Sequence, residues 1–510
     1  MGYELQQNYK RIAKNTLFLY FRMLIIMAVN FYTVRVVLDV LGVTDYGIYN
    51  LVASFVMILA FLNSTLTSGT QRFLTFELGK EDFVKLKHTF STAVIIHFIL
   101  AIIILIFGET IGLWFLYEKM NIPIERFDAA FWAYQFAIFS TMITVMQVPY
   151  NALIIAHERM HIFAYISIVE AILKLLVVYL LLIVSTDKLI SYAIFMFITS
   201  ILIASFYRIY TIKNYKESHF EFVFDKKIMK SMMQFSGWNL FGSIAWILMN
   251  YGINVLLSIF FSPAIVASRA ISMQVNTAIF SLVGNFRTAV NPQIIKMFSS
   301  ENNNEMKKIS LISARYTFYL ALILVLPIYF EIDTLLGIWL VDIPLWTIEF
   351  CKLILIFSLI QTFDMSFGIL FQAIGKMKEN QILSGGVYLL VLPLSYILFS
   401  FYNLDPRIVF YVQIAAVIIV SFVVKIILLN KIANIRYSEY LYRIILPIIK
   451  VIFSVVILVF FVHLLKLNFI LNIFSIIFIV LLSIFVFDFT KDMKYKTLDM
   501  LKIKIKQYRR

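Results

Sequence analysis

Apolar runs about as long as a bilayer is thick recur along this chain and leave it few folds to choose from. Residues 93–107, 172–184, 451–462 and 470–487 are such runs, each bracketed by polar or charged residues. With their flanks they supply the roughly 20 mainly apolar residues that one helical crossing needs. Backbone groups inside hydrocarbon must pair within their own segment, so helices follow rather than open strands. The chain is 62% hydrophobic and 14% charged. A soluble domain holds roughly 45–50% and about 25%, so a water-soluble core cannot hide this surface.

Fourteen segments are expected, with approximate cores at 12–38, 48–73, 90–117, 129–156, 162–184, 189–212, 232–260, 264–295, 309–340, 346–374, 381–402, 408–429, 440–465 and 469–487. Lys and Arg favour cytoplasmic loops, and here they alternate. Lys80, Lys85, Lys87, Arg159, Arg208, Lys226, Lys307, Lys376 and Lys431 fall in one set of loops, whereas 39–46, 261–264 and 331–344 in the other set carry almost none. Fourteen crossings then put both termini in the cytoplasm. The net charge of +15 sits mainly between segments and at the C-terminus, where anionic lipid headgroups rather than nucleic acid meet it. Cys351 is the single cysteine, so no disulfide framework exists.

A weak internal repeat is visible. Gly112-Leu113-Trp114 recurs as Gly337-Ile338-Trp339, and residues 156–160 (AHERM) align with 373–377 (AIGKM). Both offsets are about 220 residues, six crossings. Six crossings return a chain to its starting side, so the two copies share one orientation about an axis along the membrane normal. The expected architecture is all-α: a six-helix lobe at 1–212, a cytoplasmic linker at 213–230, a second six-helix lobe at 231–437, two further helices at 438–490 and a basic cytoplasmic tail at 491–510.

Polar residues inside the segments gather on matching helices of the two copies. At 100° per residue, Asn15, Arg22 and Thr33 share a face of the first segment, and Asn50, Ser54, Thr65, Ser68 and Arg72 share one of the second. Asn239, Ser243, Trp246, Asn250 and Asn254 form a stripe on the seventh, and Arg269, Asn276, Arg287 and Asn291 one on the eighth. A charge in mid-membrane costs about 2.5–3.5 kcal/mol on insertion scales, so these arginines imply a wet cavity or an anionic ligand. Small polar residues also join helices, and end arginines snorkel; for Arg72 that reading weighs equally. Arg35 is expected to pair with Asp39, and Glu170 with Lys174, at i,i+4. Arg22, Arg269 and Arg287 lack a local carboxylate and are the primary candidates for a pyrophosphate, whose oxygens suit the planar guanidinium fork. Trp246 could stack on a sugar. Asp364, one turn after Gln361, is an isolated acid that would bind a proton or sodium ion, or be satisfied by hydroxyls or Lys352.

His157-Glu158-Arg159-Met160-His161 fits the H-E-x-x-H zinc pattern of a metalloprotease. Its setting in a short loop, the lack of ligands at 374–378 and the absence of a third ligand nearby argue against it. No nucleophile–base pair, phosphate-cradling glycine loop or paired-carboxylate site is present either, so a transporter without a bound cofactor is expected rather than an enzyme.

Residues 41–52 read LGVTDYGIYNLV and 61–80 read FLNSTLTSGTQRFLTFELGK. This resembles the polysaccharide, or O-antigen-type, flippases of the multidrug/oligosaccharidyl-lipid/polysaccharide (MOP) exporter superfamily, over about residues 1–437. The resemblance implies a V-shaped, alternating-access fold with helices 1, 2, 7 and 8 around a central cavity. It further implies an undecaprenyl-pyrophosphate-linked oligosaccharide moved from the cytoplasmic to the periplasmic leaflet of a bacterial inner membrane. The two extra helices depart from the twelve of many such flippases and resemble those of peptidoglycan-precursor flippases. Expected partners are the lipid-linked oligosaccharide, the bilayer and polysaccharide assembly machinery. A cation-coupled multidrug exporter would want acidic walls where basic ones are expected, and a membrane polysaccharide enzyme would want catalytic acids on its outer face.

Overall fold

The computed structural model describes the backbone of residues 2–59, 61–157, 159–223, 229–230, 241–299, 303–374, 376–465 and 467–489. Within these it describes side chains other than those of 2–22, 59, 61, 62, 64, 65, 68, 285, 288–293, 295, 296, 298, 299, 372, 373 and 463. No strand occurs among the described residues. The helices are α1 (Gly2–Leu59), α2 (Phe61–Gly79), α3 (Phe83–Glu118), α4 (Ile124–Ala156), α5 (Met160–Ile183), α6 (Lys188–Asn214) and α7 (Phe241–Phe260). They continue with α8 (Pro263–Ser299), α9 (Asn303–Phe330), α10 (Thr347–Phe371), α11 (Met377–Tyr402), α12 (Ile408–Ala433), α13 (Tyr437–Val462) and α14 (Phe469–Phe487).

Among the described residues, 12 helices are long and apolar enough to cross a membrane. The difference from fourteen segments has two sources. The first segment and the start of the second are two helical stretches that meet at a non-helical Gly42, φ 76°, and run on without a loop, so α1 counts once. The eighth segment, α8, is 37 residues long but carries Arg269, Asn276 and Arg287, which hold its hydropathy below that of the others.

The described helices gather into two compact units. The first comprises Met1–Gln274, Gly337–Phe350 and Gln381–Ala416; the second comprises Val275–Leu336, Cys351–Asn380 and Val417–Arg510. In the first, Leu66 of α2, Ala93, Ile96, Leu100 and Ile104 of α3 and Val145 of α4 form one buried cluster. Leu74, Leu86, Phe90, Ala152, Leu153 and Ala156 form another. Buried Ala129, Ala130 and Ala133 keep the start of α4 slim, which lets neighbouring backbones approach.

The 41–52 stretch is built for a corner. Gly42 takes the left-handed φ that a side chain resists. A Cβ on Gly47 would lie 2.0 Å from the Pro263 carbonyl oxygen, so only glycine allows that approach. Asp45 receives Arg126 through Nε at 2.8 Å and Nη2 at 2.6 Å. The same guanidinium reaches Asp187 through Nη1 at 2.5 Å and Nη2 at 3.1 Å. One arginine thus ties the α1 corner to the starts of α4 and α6. Burial raises the Asp187 pKa, but Arg126 and the Ile190 and Leu189 amides outweigh it and hold the carboxyl below its ordinary value.

In the second unit, α13 and α14 are part of the core. Val451, Val455 and Val459 of α13 and Ile476, Ile479, Val480 and Ile484 of α14 share one cluster with Leu311, Phe318 and Leu322 of α9 and Phe363 of α10. Asp488, its side chain fully buried, takes Arg315 Nε at 3.2 Å and the Tyr319 hydroxyl at 3.1 Å.

Replacing Arg126 by Met should cost roughly 2–3 kcal/mol, because it strips two carboxylates of charge-assisted hydrogen bonds. The measurement is thermal unfolding of the purified protein in detergent; a melting temperature equal to that of the unmodified chain would remove Arg126 from this role.

Candidate functional site

The polar stripes are internally bonded to different extents. In the first unit, Asn50 Nδ2 donates to the Tyr46 carbonyl at 2.8 Å and the Ser54 hydroxyl to the Asn50 carbonyl at 2.6 Å. Asn254 Nδ2 of α7 then donates to the Ser54 hydroxyl oxygen at 2.7 Å, both side chains being buried. This is an interhelical joint between α1 and α7, and it leaves Asn254 Oδ1 buried without a partner among the described residues.

Trp246 is partly exposed and meets Tyr388 edge-on, ring centroids 6.2 Å apart. Its carbonyl accepts from Asn250 Nδ2 at 2.8 Å. Arg72 of α2 is exposed, in keeping with a snorkelling end residue. The side chains of Asn15 and Arg22, and Asn239 altogether, lie outside the described residues.

Arg269 is fully buried. The reason lies in α7, where Leu248–Gly252 is a π turn. Such a turn shifts the hydrogen-bond register and leaves carbonyls to be satisfied from outside. Arg269 Nη2 donates to the Asn250 carbonyl at 3.0 Å, and Gln413 Nε2 of α12 donates to the Met249 carbonyl at 3.1 Å. The Arg269 guanidinium carbon lies 5.3 Å from the Phe410 ring centroid, a cation–π contact. Its Nε and Nη1 are buried with no partner among the described residues, as is Gln413 Oε1. A fixed cation here retains two unused donors. Gln413 was not singled out from sequence; its only signal was an amide in an apolar run.

In the second unit, Asn276 Oδ1 accepts the Ser358 hydroxyl at 2.6 Å, again a buried interhelical joint. Arg287 is half-buried and donates Nη2 to the Met365 carbonyl. Asp364 is not isolated: its Oδ1 is 2.7 Å from Lys425 Nζ of α12. Lys352, the partner considered in the sequence, pairs with Asp333 at 3.2 Å. Lys425 is the residue that sequence reading missed, a lone lysine within an apolar run and only 1% exposed.

Two local pairings divide. Glu170 and Lys174 pair at 2.6 Å. Arg35 instead gives Nη1 to the Ile338 carbonyl at 2.9 Å, so its expected pairing with Asp39 is corrected. The Trp339 indole donates to the Phe31 carbonyl at 2.7 Å, so residues 338–339 hold α1 at two points, one through a backbone carbonyl and one through a side chain.

The H-E-x-x-H residues straddle two helices. His157 is the cap that ends α4, and Met160 opens α5. The one-turn spacing that would aim both rings at a metal is therefore broken. Glu158 lies outside the described residues. His157 stacks on Tyr215 at 4.1 Å and bonds Glu217 at 2.6 Å through Nε2, whereas His161 meets Tyr165 edge-on. No group of three metal-ligating side chains occurs among the described residues. Burial raises the Glu217 pKa, yet the hydrogen bond from His157, the backbone bond and the His157 charge carry it below its ordinary value.

A depressed carboxyl contributes stability above its unfolded pKa and loses it as pH falls through the folded value. Glu217→Gln should therefore lower the melting temperature at neutral pH, and the difference from the unmodified chain should shrink on acidification below the ordinary glutamate range. A gap that widens towards acid would reverse the sign and discard the assignment. At the α1–α7 joint, Asn254→Leu should cost about 1 kcal/mol, as interhelical hydrogen bonds in membrane proteins do, read as a lower melting temperature.

Comparison with known proteins places this arrangement. The family model described as Polysaccharide biosynthesis protein matches residues 12–300, more than half of the chain. No curated protein matches. Among solved structures, an inward-facing multidrug resistance MATE family transporter of the MOP superfamily is similar at TM-score 0.60 and 15% identity, covering 79% of this chain and 92% of that one. A MOP superfamily transporter from Pyrococcus furiosus gives TM-score 0.59 at 14% identity over 80% and 93%. A Vibrio cholerae MATE transporter gives 0.59 at 14% over 84% and 98%. At such identity the likeness concerns the fold, and it joins the family match and the apolar helices in one conclusion: the chain is a multi-pass helical membrane protein with the MOP transporter fold, and it belongs to the polysaccharide biosynthesis protein family.

Proposed function

We propose that this protein is a flippase that carries an undecaprenyl-pyrophosphate-linked oligosaccharide, such as an O-antigen, capsule or exopolysaccharide repeat unit, from the cytoplasmic to the periplasmic leaflet of the bacterial inner membrane by alternating access. The observation that carries the reading is Arg269, a buried guanidinium with Nε and Nη1 unbonded among the described residues. Unused donors on a desolvated cation are costly unless an anion can take them. A pyrophosphate supplies charge and paired oxygens together.

Arg269 in the first unit, Arg287 in the second, Arg22 of α1 and Arg72 of α2 are the candidate phosphate contacts. Asn50, Ser54, Asn239, Trp246, Asn250 and Asn276 offer the polar and aromatic surface that sugars require, while the polyprenyl tail stays in lipid. Polysaccharide assembly machinery consumes the product.

A cation-coupled multidrug exporter is the rival reading within the same fold. One similar structure is described as having a binding pocket of reverse polarity that suggests a different function. In this chain the basic side chains Arg269 and Arg287 favour an anionic cargo over a cationic drug.

Deleting the gene should trap lipid-linked oligosaccharide in the cytoplasmic leaflet, read by leaflet-specific labelling. Arg269→Gln and Arg287→Gln, expressed to the normal level, should each slow delivery about tenfold to a hundredfold, the equivalent of one or two charge-assisted hydrogen bonds. Unchanged leaflet distribution together with drug hypersensitivity would replace this reading with the exporter.

A further inference from the structure

The charged cluster around Asp364 contains more than a candidate ion site. Lys425 opens the last turns of α12 directly after the π turn Val420–Val424. Its ammonium meets the Asp364 carboxylate at 2.7 Å and the Asn380 side-chain oxygen. Its remaining side faces the Phe371 ring, whose centroid is 5.5 Å away. An ammonium has three donors and no acceptor; this one has a carboxylate, an amide oxygen and an aromatic face around it. Carboxylate and amide oxygens are also the ligands that hard metal cations take.

Arg287 is the third charge. It donates to the carbonyl of Met365, the residue after Asp364, and Asp364 is near enough to act on it electrostatically. Two cations therefore compete for one carboxylate. The lysine has the direct contact, while Arg287 holds a backbone carbonyl. Removing the lysine would take from Asp364 the cation in direct contact with it, so that a cation from solution or Arg287 would be drawn to the carboxylate instead.

We propose that Lys425 is a tethered counter-ion: its ammonium takes the place a coupling sodium ion would occupy at Asp364 and keeps that carboxylate from neutralising Arg287. Asp364 then has no sodium ion to take up, and the charge of Arg287 is left for cargo. Only this last consequence rests on the flippase reading.

The test needs no substrate. Thermal unfolding of the purified protein is followed in sodium chloride and in choline chloride at equal ionic strength. The unmodified chain should melt at the same temperature in both. Lys425→Ala should melt lower in choline and gain about 2–3 °C in sodium, the shift expected for a chain of this length from a cation near a hundred times its Kd. Adding Asp364→Asn to Lys425→Ala should abolish the sodium effect and recover stability in choline. Should Lys425→Ala not accumulate, Asp364→Asn carries the test: it leaves the ammonium uncompensated, and the double variant Asp364→Asn with Lys425→Met should melt higher than Asp364→Asn alone.

Specific stabilisation of the unmodified chain by sodium overturns the proposal, as does a Lys425→Ala protein indifferent to both sodium and Asp364→Asn. A double variant no more stable than Asp364→Asn alone overturns it as well. These outcomes stand apart from leaflet labelling, so a failed flippase reading would leave the counter-ion intact, and a failed counter-ion would leave the leaflet result untouched.

Discussion

A cation that cannot reach water must find oxygen or an aromatic face within its own protein, and that requirement organises the interior of this chain. Arg269 finds the Asn250 carbonyl and the Phe410 ring; Lys425 finds Asp364 and Asn380; Arg287 finds the Met365 carbonyl. Arg269 depends on a break in helical regularity, because the π turn in α7 presents the carbonyl that accepts its hydrogen bond. Helix irregularity and buried charge are thus one device: the turn would be poorly satisfied without the arginine, and the arginine poorly satisfied without the turn.

The same rule separates neutral joints from buried cations. Asn254 on Ser54 and Ser358 on Asn276 connect helices through neutral hydrogen bonds. Such bonds are worth on average about 0.6 kcal/mol in membranes, enough to fix a register and little more. The guanidinium with unused donors belongs to another class, since its desolvation is far larger than any one neutral bond returns. Periodicity alone puts all these residues on stripes; environment distinguishes those that hold the fold from those left to act.

Much of the fold is legible because the bilayer imposes a length. The apolar runs locate the helices, the polar stripe of α8 explains why that helix falls short of the hydropathy of its neighbours, and the 41–52 stretch, read in the sequence only for its family resemblance, is a corner formed by Gly42, Asp45 and Gly47. Side-chain partners are far less legible. Spacing of i,i+4 suggests Asp39 for Arg35 because it is visible in a sequence, whereas the partner is the Ile338 carbonyl 303 residues away. A backbone carbonyl has no sequence signature at all. Lys352 suggests itself for Asp364 for the same reason, and the actual partner, Lys425, lies in an apolar run two helices further on. The H-E-x-x-H motif misleads in the opposite sense: its spacing suits one helix, and the chain breaks between its halves.

That asymmetry bears on how polarity is assigned to a transport pathway. Counting charges along predicted helices puts Arg269, Arg287, Lys425 and Asp364 into one basic total, yet they are not equivalent. The Lys425–Asp364 pair is electrically closed and contributes almost nothing at a distance, because opposite charges 2.7 Å apart present mainly a dipole. Arg287 has a carbonyl in direct contact, and Arg269 a carbonyl and a ring, so each retains a full positive charge. The positive charge without a carboxylate contact among the described residues is thus that of Arg269 in the first unit and of Arg287 in the second, not the sum of the charged residues. Asp364 lies within a span of the second unit, but Lys425 meets its charge, so an acid inside a span does not by itself make an acidic wall.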